Sequence, residues 1–407
     1  MYKISQEGFI HVTEKIYEKQ SYIKEYRSVV SDCIIENDKV YIKLQESIFF
    51  PEEGGQYSDT GTILYDDKTV QVLKGEIIGS PTEGETDIRY LVTERIEPGT
   101  EVLCKLDWDI RFDRMQNHSG EHILSGLVHN RFGYNNVGFH LSDDEPVTLA
   151  FDGVLTEDQI KEIEKEANRI IYMNLVISDS YPSKEELVNI TYRSKIDIKA
   201  QVRLITIGDK ENCVDVCACC APHVSHTGAI GIIKIISFMK FKGGTQLSIL
   251  CGRRALEYIE HNLNNLDSVA RGFSTHADNV PRLVDNLKDE NMQLTAKVAE
   301  LTERIIIEDI KAGKYDKCVF TDMELSAANM KNIYNELISL RDGYVGLFAG
   351  SDEGGYRYYG GGRDVDAKNL ADMMREKLGA KGGGSSQMIQ GRVEAKKEEI
   401  EAFWKEI

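Results

Sequence analysis

His118 and His122 stand four residues apart in NHSGEHILSG, and Cys219 and His223 repeat that spacing much later in CCAPH. Residues four apart on a helix share a face, so one ion lies within reach of both imidazoles of such a pair. Thiolate and imidazole are preferred zinc donors, and a helical pair meeting a loop pair would supply the four ligands of a tetrahedral site. Either pair alone is a weak signal. Histidines at this spacing often occupy packed or solvated faces, and Cys219 lies in CVDVCACC, where Cys213, Cys217 and Cys220 read as a local knuckle or as inert small core residues. Together the pairs point to one Zn2+ site of His118, His122, Cys219 and His223. His129 lies too far along the helix to share the ion. A metalloprotease is excluded, because HExxH places glutamate directly after the first histidine and Ser119 stands there. Glu121, beside the second histidine, is expected to face solvent.

Such a site needs elements to carry it. A chain of 407 residues exceeds one ordinary core, so two or three domains are expected. Hydrophobic residues at 41%, charged residues at 29% and only 7 prolines describe a folded chain rather than a disordered one. The net charge of -18 argues against binding nucleic acid over the whole surface, since phosphate neutralisation needs clustered Lys and Arg. Any RNA partner must meet a local patch. The opening MYKISQEGFIHV lacks the charged-then-apolar order of a signal peptide, no apolar run is long enough to cross a bilayer, and the cysteines are too sparse for a disulfide scaffold. A cytoplasmic location is therefore expected.

Short alternating runs such as KVYIKLQESIFF and IRYLVTERI, separated by PEEGGQYSDTG and SPTEG, predict a β-rich N-terminal domain over 1–110 with a glycine-rich loop. Residues 111–250 mix the helix that bears the histidines, a second helix in TEDQIKEIEKEANRIIYMN, and strands such as PVTLAFDG and IGIIKIISF. That is an α+β zinc domain. Residues 251–310 read as a long helical linker, helical throughout 252–308. Within it Val280, Leu287, Leu294 and Leu301 step by sevens, and Val284, Asn291, Val298 and Ile305 form the other seam of a coiled coil. Asn291 alone interrupts the apolar seam. The pattern fits a homodimer whose register a polar residue fixes, or an intramolecular hairpin. Residues 311–407 alternate strands and helices as a small α/β C-terminal domain. The fold class is thus α+β and multidomain.

These motifs resemble a known family. NHSGEHILSG followed by CCAPHVSHTGAIGIIKI is similar to the HxxxH and CxxxH halves of the editing domain of alanyl-tRNA synthetase and of its freestanding AlaX relatives. FFPEEGGQYSDTGTI resembles the glycine-rich loop that precedes that domain, CGRRALEYI and the following helices resemble the stretch behind it, and GGGRDVDAKNLADMMREKLGAKGGGSSQMIQGR resembles the core of the DHH-associated domain. The order covers nearly the whole chain and fits the long AlaX form.

The resemblance implies a zinc-containing hydrolase that removes serine, and glycine as a second candidate, from mischarged tRNA(Ala). With the chain opening on the β-rich module and no aminoacylation domain ahead of it, action in trans is expected. Without an Asp-His-His signature, the C-terminal domain is expected to bind rather than catalyse, and Gly382, Gly383, Gly384 and Arg392 are its candidate RNA contacts; each glycine also reads as part of a tight turn. Gln56 is the candidate substrate contact, since its amide both donates and accepts, or else an ordinary turn residue. Two departures from the family pattern bear on the site. Cys220, Ala221 and Pro222 stand where two glycines and a threonine are usual, which removes flexibility, a hydroxyl and one backbone donor and brings a thiol that competes for the metal; Glu53 stands where the first loop usually has glycine. A zinc-stabilised tRNA-binding dimer without catalysis, and a deacylase for another mischarged tRNA, remain the alternatives.

Overall fold

Alternation of buried and exposed side chains, clearest along DIRYLV, builds the first architecture of the chain. In the computed structural model, which describes residues 3–5, 8–10, 12–79, 86–194 and 201–407, six strands close into an antiparallel barrel. They are β1 (Glu25–Glu36), β2 (Lys39–Leu44), β3 (Gly61–Tyr65), β4 (Lys68–Ile78), β5 (Asp87–Val92) and β6 (Glu101–Leu106), in the order β6-β1-β2-β5-β4-β3. Closure leaves no open edge. The hairpins β1–β2 and β3–β4 turn on Asn37-Asp38 and Asp66-Asp67, all with positive φ, as two-residue turns require. The SPTEG turn, residues 80–84, lies outside the described residues.

The barrel leads directly into α1 (Trp108–Phe132), which is followed by β7 (Asn136–His140), β8 (Val147–Phe151), α2 (Glu157–Met173), β9 (Ile177–Ser180), β10 (Leu204–Ile207), β11 (Asp215–Ala218), β12 (Ile233–Phe241) and β13 (Gly244–Cys251). These strands form an antiparallel sheet β7-β8-β13-β12 and a smaller antiparallel sheet β9-β10-β11. Thr156 and Gln159 cap α2 reciprocally, a start signal legible in TEDQ. Met115, Ile123, Leu124 and Val128 of α1 pack with Ile160, Ile163 and Ile170 of α2 and with the sheet residues Leu149, Ile205, Ile233 and Leu247. Gly120 makes that approach possible, since a Cβ there would lie 2.4 Å from Cys251 Sγ.

One compact unit spans Met1–Asn265 and a second Leu266–Ile407. The helix expected to run through 252–308 is interrupted. It ends as α3 (Gly252–Gly272), the chain turns through Ser274 at φ 49°, and α4 (Val280–Lys311) restarts with a proline in its first turn. Gly272 and Pro281 at the two boundaries explain the break, because glycine readily leaves a helix and proline suits a first turn. The last turns of α4 are not linker. Ala299, Ile306 and Ile310 enter the core of the second unit with Met330, Ile333 and Leu337 of α5 (Ala327–Leu340). Around them lie β14 (Cys318–Thr321), β15 (Val345–Ser351), β16 (Gly355–Gly361), α6 (Ala367–Leu378), β17 (Lys381–Gly384), β18 (Met388–Val393) and α7 (Lys397–Glu406). The sheet order is β14-β15-β16-β18-β17, with only the first pair parallel. No helix among the described residues is long and apolar enough to cross a membrane.

Candidate metal centre

The site is assembled at the junction of the barrel and α1. Arg111, in the first turn of α1, is fully buried and donates through Nε to Asp59 Oδ1 at 2.9 Å and through Nη2 to the Ile48 carbonyl at 2.7 Å. Arg114, one turn on, donates to the Ser58 carbonyl at 2.6 Å and to Asp143 Oδ1 at 2.8 Å. The two guanidiniums clamp the PEEGGQYSD loop against the helix. The loop turns at Gly54 and Gly55, both at positive φ, and a Cβ on Gly55 would lie 2.7 Å from the Phe139 carbonyl. The clamp carries Gln56 onto the face of α1 one turn beyond Arg114, where His118 lies.

The second ligand pair sits on a loop shared by two cores. Ala221 belongs to the core of the barrel and Val224 to that of the α1 region, while Cys219 packs against both. Arg203 fixes the loop by donating to the Ala221 carbonyl at 2.8 Å.

His118, His122, Cys219 and His223 converge, each offering a ligand atom within 4.8 Å of the other three. The imidazole centroids are 5.4 Å apart for His118 and His122, 4.9 Å for His118 and His223, and 4.7 Å for His122 and His223. Cys219 Sγ lies 3.6 Å from His118 Nε2 and 3.3 Å from His223 Nε2. Each ring is tethered through its other nitrogen. His118 Nδ1 is 2.7 Å from Gln56 Oε1, His122 Nδ1 is 3.0 Å from Asp215 Oδ2, and His223 Nδ1 is 3.0 Å from Ser119 Oγ. A ligating imidazole donates its free N–H to such an acceptor, which fixes tautomer and orientation. The tethers therefore leave the Nε2 atoms to face Cys219.

Electrostatics favour the metal-binding form at Cys219 and His223, whereas at His122 burial is outweighed by the neighbouring Glu121, Cys217 and Asp215, which hold the imidazole well above its ordinary pKa, so a metal there would displace a proton. Burial opposes a thiolate at Cys219, but the neighbouring His118 and the hydrogen bonds from His118 and His122 outweigh it and hold the thiol well below its usual pKa. Burial pushes His223 down to about 3 against the pull of Cys219, so this imidazole is neutral at pH 7. Thiolate and neutral imidazole are the forms that bind metal. Asp215, also buried, is held below the usual carboxylate range because hydrogen bonds from His122 and Arg193 outweigh its burial. Arg193 grips it with Nε and Nη2 at 2.7 Å each. A second group of possible ligands, His122, Asp215 and Cys217, is the rear of the same centre.

Glu121 departs from expectation. It is 2% exposed and accepts from Ser125 Oγ at 2.7 Å and from Asn136 Nδ2. Its Oε2 also lies 3.7 Å from His122 Nε2, so the side chain is buried against the histidine cluster and not turned to solvent. Cys220 does not join the cluster; its thiol faces Glu53, whose proximity and the burial of the site push its pKa up. Cys213 is exposed and Cys217 buried. Gln56 is fully buried, and Nε2 of its amide has no hydrogen-bond partner. A cavity of about 450 Å3 lined by Lys19, Tyr22, Asp179 and Arg203 reaches the cluster at His223.

The candidate RNA contacts lie in the second unit. Gly382, Gly383 and Gly384 form the edge strand β17 instead of a turn, and Arg392 is exposed on β18. Arg392 pairs directly with Lys381 on one side and with Arg357 on the other, so three cations form a row on one sheet face. Neighbours in that row are far apart in the chain, which is why linear reading found only Arg392. Asp59, Arg111, Arg114, Ser119 and Asp215 were also missed as site residues. The aspartate three residues after Gln56, and arginines four and seven residues before His118, were the available signals.

With this geometry in view, the comparisons with known proteins are specific. Residues 202–247 match the family described as threonyl and alanyl tRNA synthetase second additional domain, the segment that holds Cys219 and His223. The chain is 30% identical to the alanyl-tRNA editing protein AlaX-L of Pyrococcus horikoshii, over 96% of both chains. It is 27% identical to the alanyl-tRNA editing protein Aarsd1 of Danio rerio, again over 96% of each. Against the alanine--tRNA ligase of Ignicoccus hospitalis it is 26% identical, with 97% of this chain matching 42% of the ligase.

Proposed function

The chain belongs to the AlaX-type alanyl-tRNA editing proteins, and from that premise we propose that it hydrolyses the ester of mischarged tRNA(Ala), chiefly Ser-tRNA(Ala) with Gly-tRNA(Ala) as second substrate, at a zinc site. The observation that carries this reading is the set of three imidazoles, each tethered through Nδ1, around a Cys219 favoured as thiolate. A cluster of this composition suits a borderline-soft ion that binds nitrogen and sulfur.

His118, His122, Cys219 and His223 would hold the zinc. When bound, the ion supplies Lewis-acid polarisation or orientation of the ester carbonyl. The chain's own groups do the rest. Gln56 Oε1, Asp215 and Ser119 hold the rings so that no rotation blurs the donor geometry, and the free Nε2–H of Gln56 supports its role as a donor to substrate. Burial of the cluster excludes bulk water from the ester.

The need for such hydrolysis follows from alanine's size. A pocket for alanine rejects glycine or serine only weakly, since a methyl or an added hydroxyl changes binding by about 1–3 kcal/mol. A deacylating site spares alanine if it gives the serine hydroxyl a partner that alanine cannot use.

For the remaining partners, the row Lys381, Arg392 and Arg357 beside the exposed glycine strand Gly382, Gly383 and Gly384 supports an RNA-backbone contact in the C-terminal domain. The exposed seam of α4 supports a homodimer through 251–310 and the C-terminal domain. A cytoplasmic location follows from the tRNA substrate.

The test is release of serine, glycine and alanine from separately charged tRNA(Ala), with His118→Ala beside the wild type. Serine loss with alanine spared, and an inactive variant, supports the reading. If all three esters survive the wild type while the tRNA still binds, the protein is a tRNA-binding module instead.

A further inference from the structure

We propose that Glu53 binds the α-ammonium group of the aminoacyl ester, a role resting on the hydrolase reading above and one that the glycine usual there in the family could not fill. Glu53 and Gln56 face each other across the Gly54-Gly55 turn, exchanging backbone hydrogen bonds at 3.2 and 3.1 Å. Directly opposed residues of an antiparallel pair project their side chains to the same face. Gln56 reaches His118, and Glu53 reaches the thiol of Cys220, next to Cys219. The turn therefore covers the His118–Cys219 edge of the metal cluster, where Sγ and Nε2 are 3.6 Å apart.

Each of these two side chains keeps one buried polar atom without a partner. They are Glu53 Oε2, an acceptor, and Gln56 Nε2, a donor. Lys15, whose charge acts on Glu53, is paired with Glu18 at 3.6 Å. A buried carboxylate oxygen with no donor is unfavourable unless something arrives to fill it, and a cationic N–H group fills it best. An aminoacyl ester carries such a group on the carbon next to the carbonyl. A carboxylate that holds it must flank the reacting centre, and the Glu53 carboxyl lies against the Cys220 thiol beside Cys219. The donor beside it, Gln56 Nε2, then faces the carbonyl or side-chain oxygen of the same aminoacyl group. The two departures from the family pattern, Glu53 and Cys220, thus meet in space: the thiol occupies one side of the carboxyl group and leaves the other open to ligand.

The test uses the full chain loaded with zinc at about pH 6.5, where an α-amine with an ordinary pKa near 7.7 is protonated. Deacylation of Ser-tRNA(Ala) is compared with that of its N-acetylated counterpart for wild type, Glu53→Gln and Glu53→Gly. N-acetylation is expected to lower wild-type kcat/KM by about 10- to 100-fold, mostly through KM, the worth of one charge-assisted hydrogen bond. Both variants should lose a similar factor on the free-amine ester and cleave the two esters at comparable rates, with metal content unchanged. Equal cleavage of both esters by the wild type, or an N-acetyl penalty that survives in Glu53→Gln, overturns the assignment. A Ser-against-Ala preference that changes while the N-acetyl penalty stays would also overturn it, and would give Glu53 the serine hydroxyl instead. The same comparison by equilibrium binding of a non-hydrolysable 3′-seryl-amide of adenosine, free and N-acetylated, reads the anchor even if no ester is cleaved. Loss of the hydrolase reading and loss of this one are thereby separated.

Discussion

Helices α1 and α4 invert each other. In α1, Arg111, Asp113, Arg114, Gln116, Asn117, His118, Ser119, Glu121, His122 and Ser125 are all buried. In α4, Leu287, Leu294, Val298, Leu301 and Ile305 are all exposed, Ile305 at 62%. Burying so many polar groups is unfavourable unless each is hydrogen-bonded or charge-paired, so a helix like α1 persists where its polar groups form a connected network. Exposing an apolar heptad seam is unfavourable unless another surface covers it. The first inversion is what a buried chemical site requires, and the second is what an association surface requires. The second kind begins before the break at Gly272, since α3 exposes Leu256, Leu263 and Leu266, and Phe273 just beyond it, at heptad spacing.

The largest expected effect strikes the α1 side of this contrast. Cys219→Ala should lower bound zinc from about one per chain to near none, with ester hydrolysis falling by more than about 1000-fold if the ion is essential to the reaction. Metal analysis of the purified variant checks this. Unchanged metal content would remove Cys219 from the donor set and leave the metal to the histidines.

One layer outward, Asp215→Asn keeps the shape of the side chain but removes the charge that orients His122 and is gripped by Arg193. Loss of an outer partner typically costs about 10- to 100-fold in metal affinity, so competition with a chelator should show a shift of that order. The same residue gives a pH signature. Its folded pKa lies below its unfolded one, so its stabilisation is present above the unfolded value of about 4 and disappears as pH falls through the lower folded value. Thermal unfolding of metal-free protein from about pH 5 downward should therefore steepen for wild type and flatten for the variant.

On the α4 side, Leu294→Asp places a charge in the seam. If a second copy covers it, the dimer dissociation constant should rise by about 100-fold or more, read by sedimentation, with deacylation per chain on a minimal acceptor-stem substrate intact. A dimer that ignores the charge would place association elsewhere and leave the exposed seam unexplained by self-association.

The smallest effect is expected at the basic row. Lys381→Ala should weaken tRNA binding uniformly across sequences and reduce the magnitude of the salt-dependence slope by about 0.7–0.9, the contribution of one phosphate contact. A slope equal to that of wild type would turn the row into an ordinary solvated face.

Much of this was legible in the residues themselves. Helical patterning placed α1 and α2; alternation placed strands such as KVYIKL and IRYLV in a β-rich domain; the two four-residue spacings named the four residues that converge. These signals are local, because a helix or strand repeats its own geometry along the chain. The break in the long helix was also written locally, in Gly272 and Pro281, but the heptad pattern on both sides masked it. Glu121 was misread for a different reason: one face of a helix looks solvated in sequence until a sheet is known to lie against it.

Sequence by itself determined which side chains could ligate a metal, which family pattern they follow and where that pattern is altered at Glu53 and Cys220. Tertiary structure alone decided that Arg111 and Arg114 pin the glycine loop to α1, that Gln56, Asp215 and Ser119 each hold one imidazole, and that Glu53 meets Cys220 across 167 positions of chain. It likewise decided that Lys381, Arg392 and Arg357 stand in one row. The reason is the range of the forces. Secondary structure follows from neighbours in the chain, whereas the orientation of a ligand or the partner of a buried charge depends on which distant segments the packing of the core brings within about 3 Å.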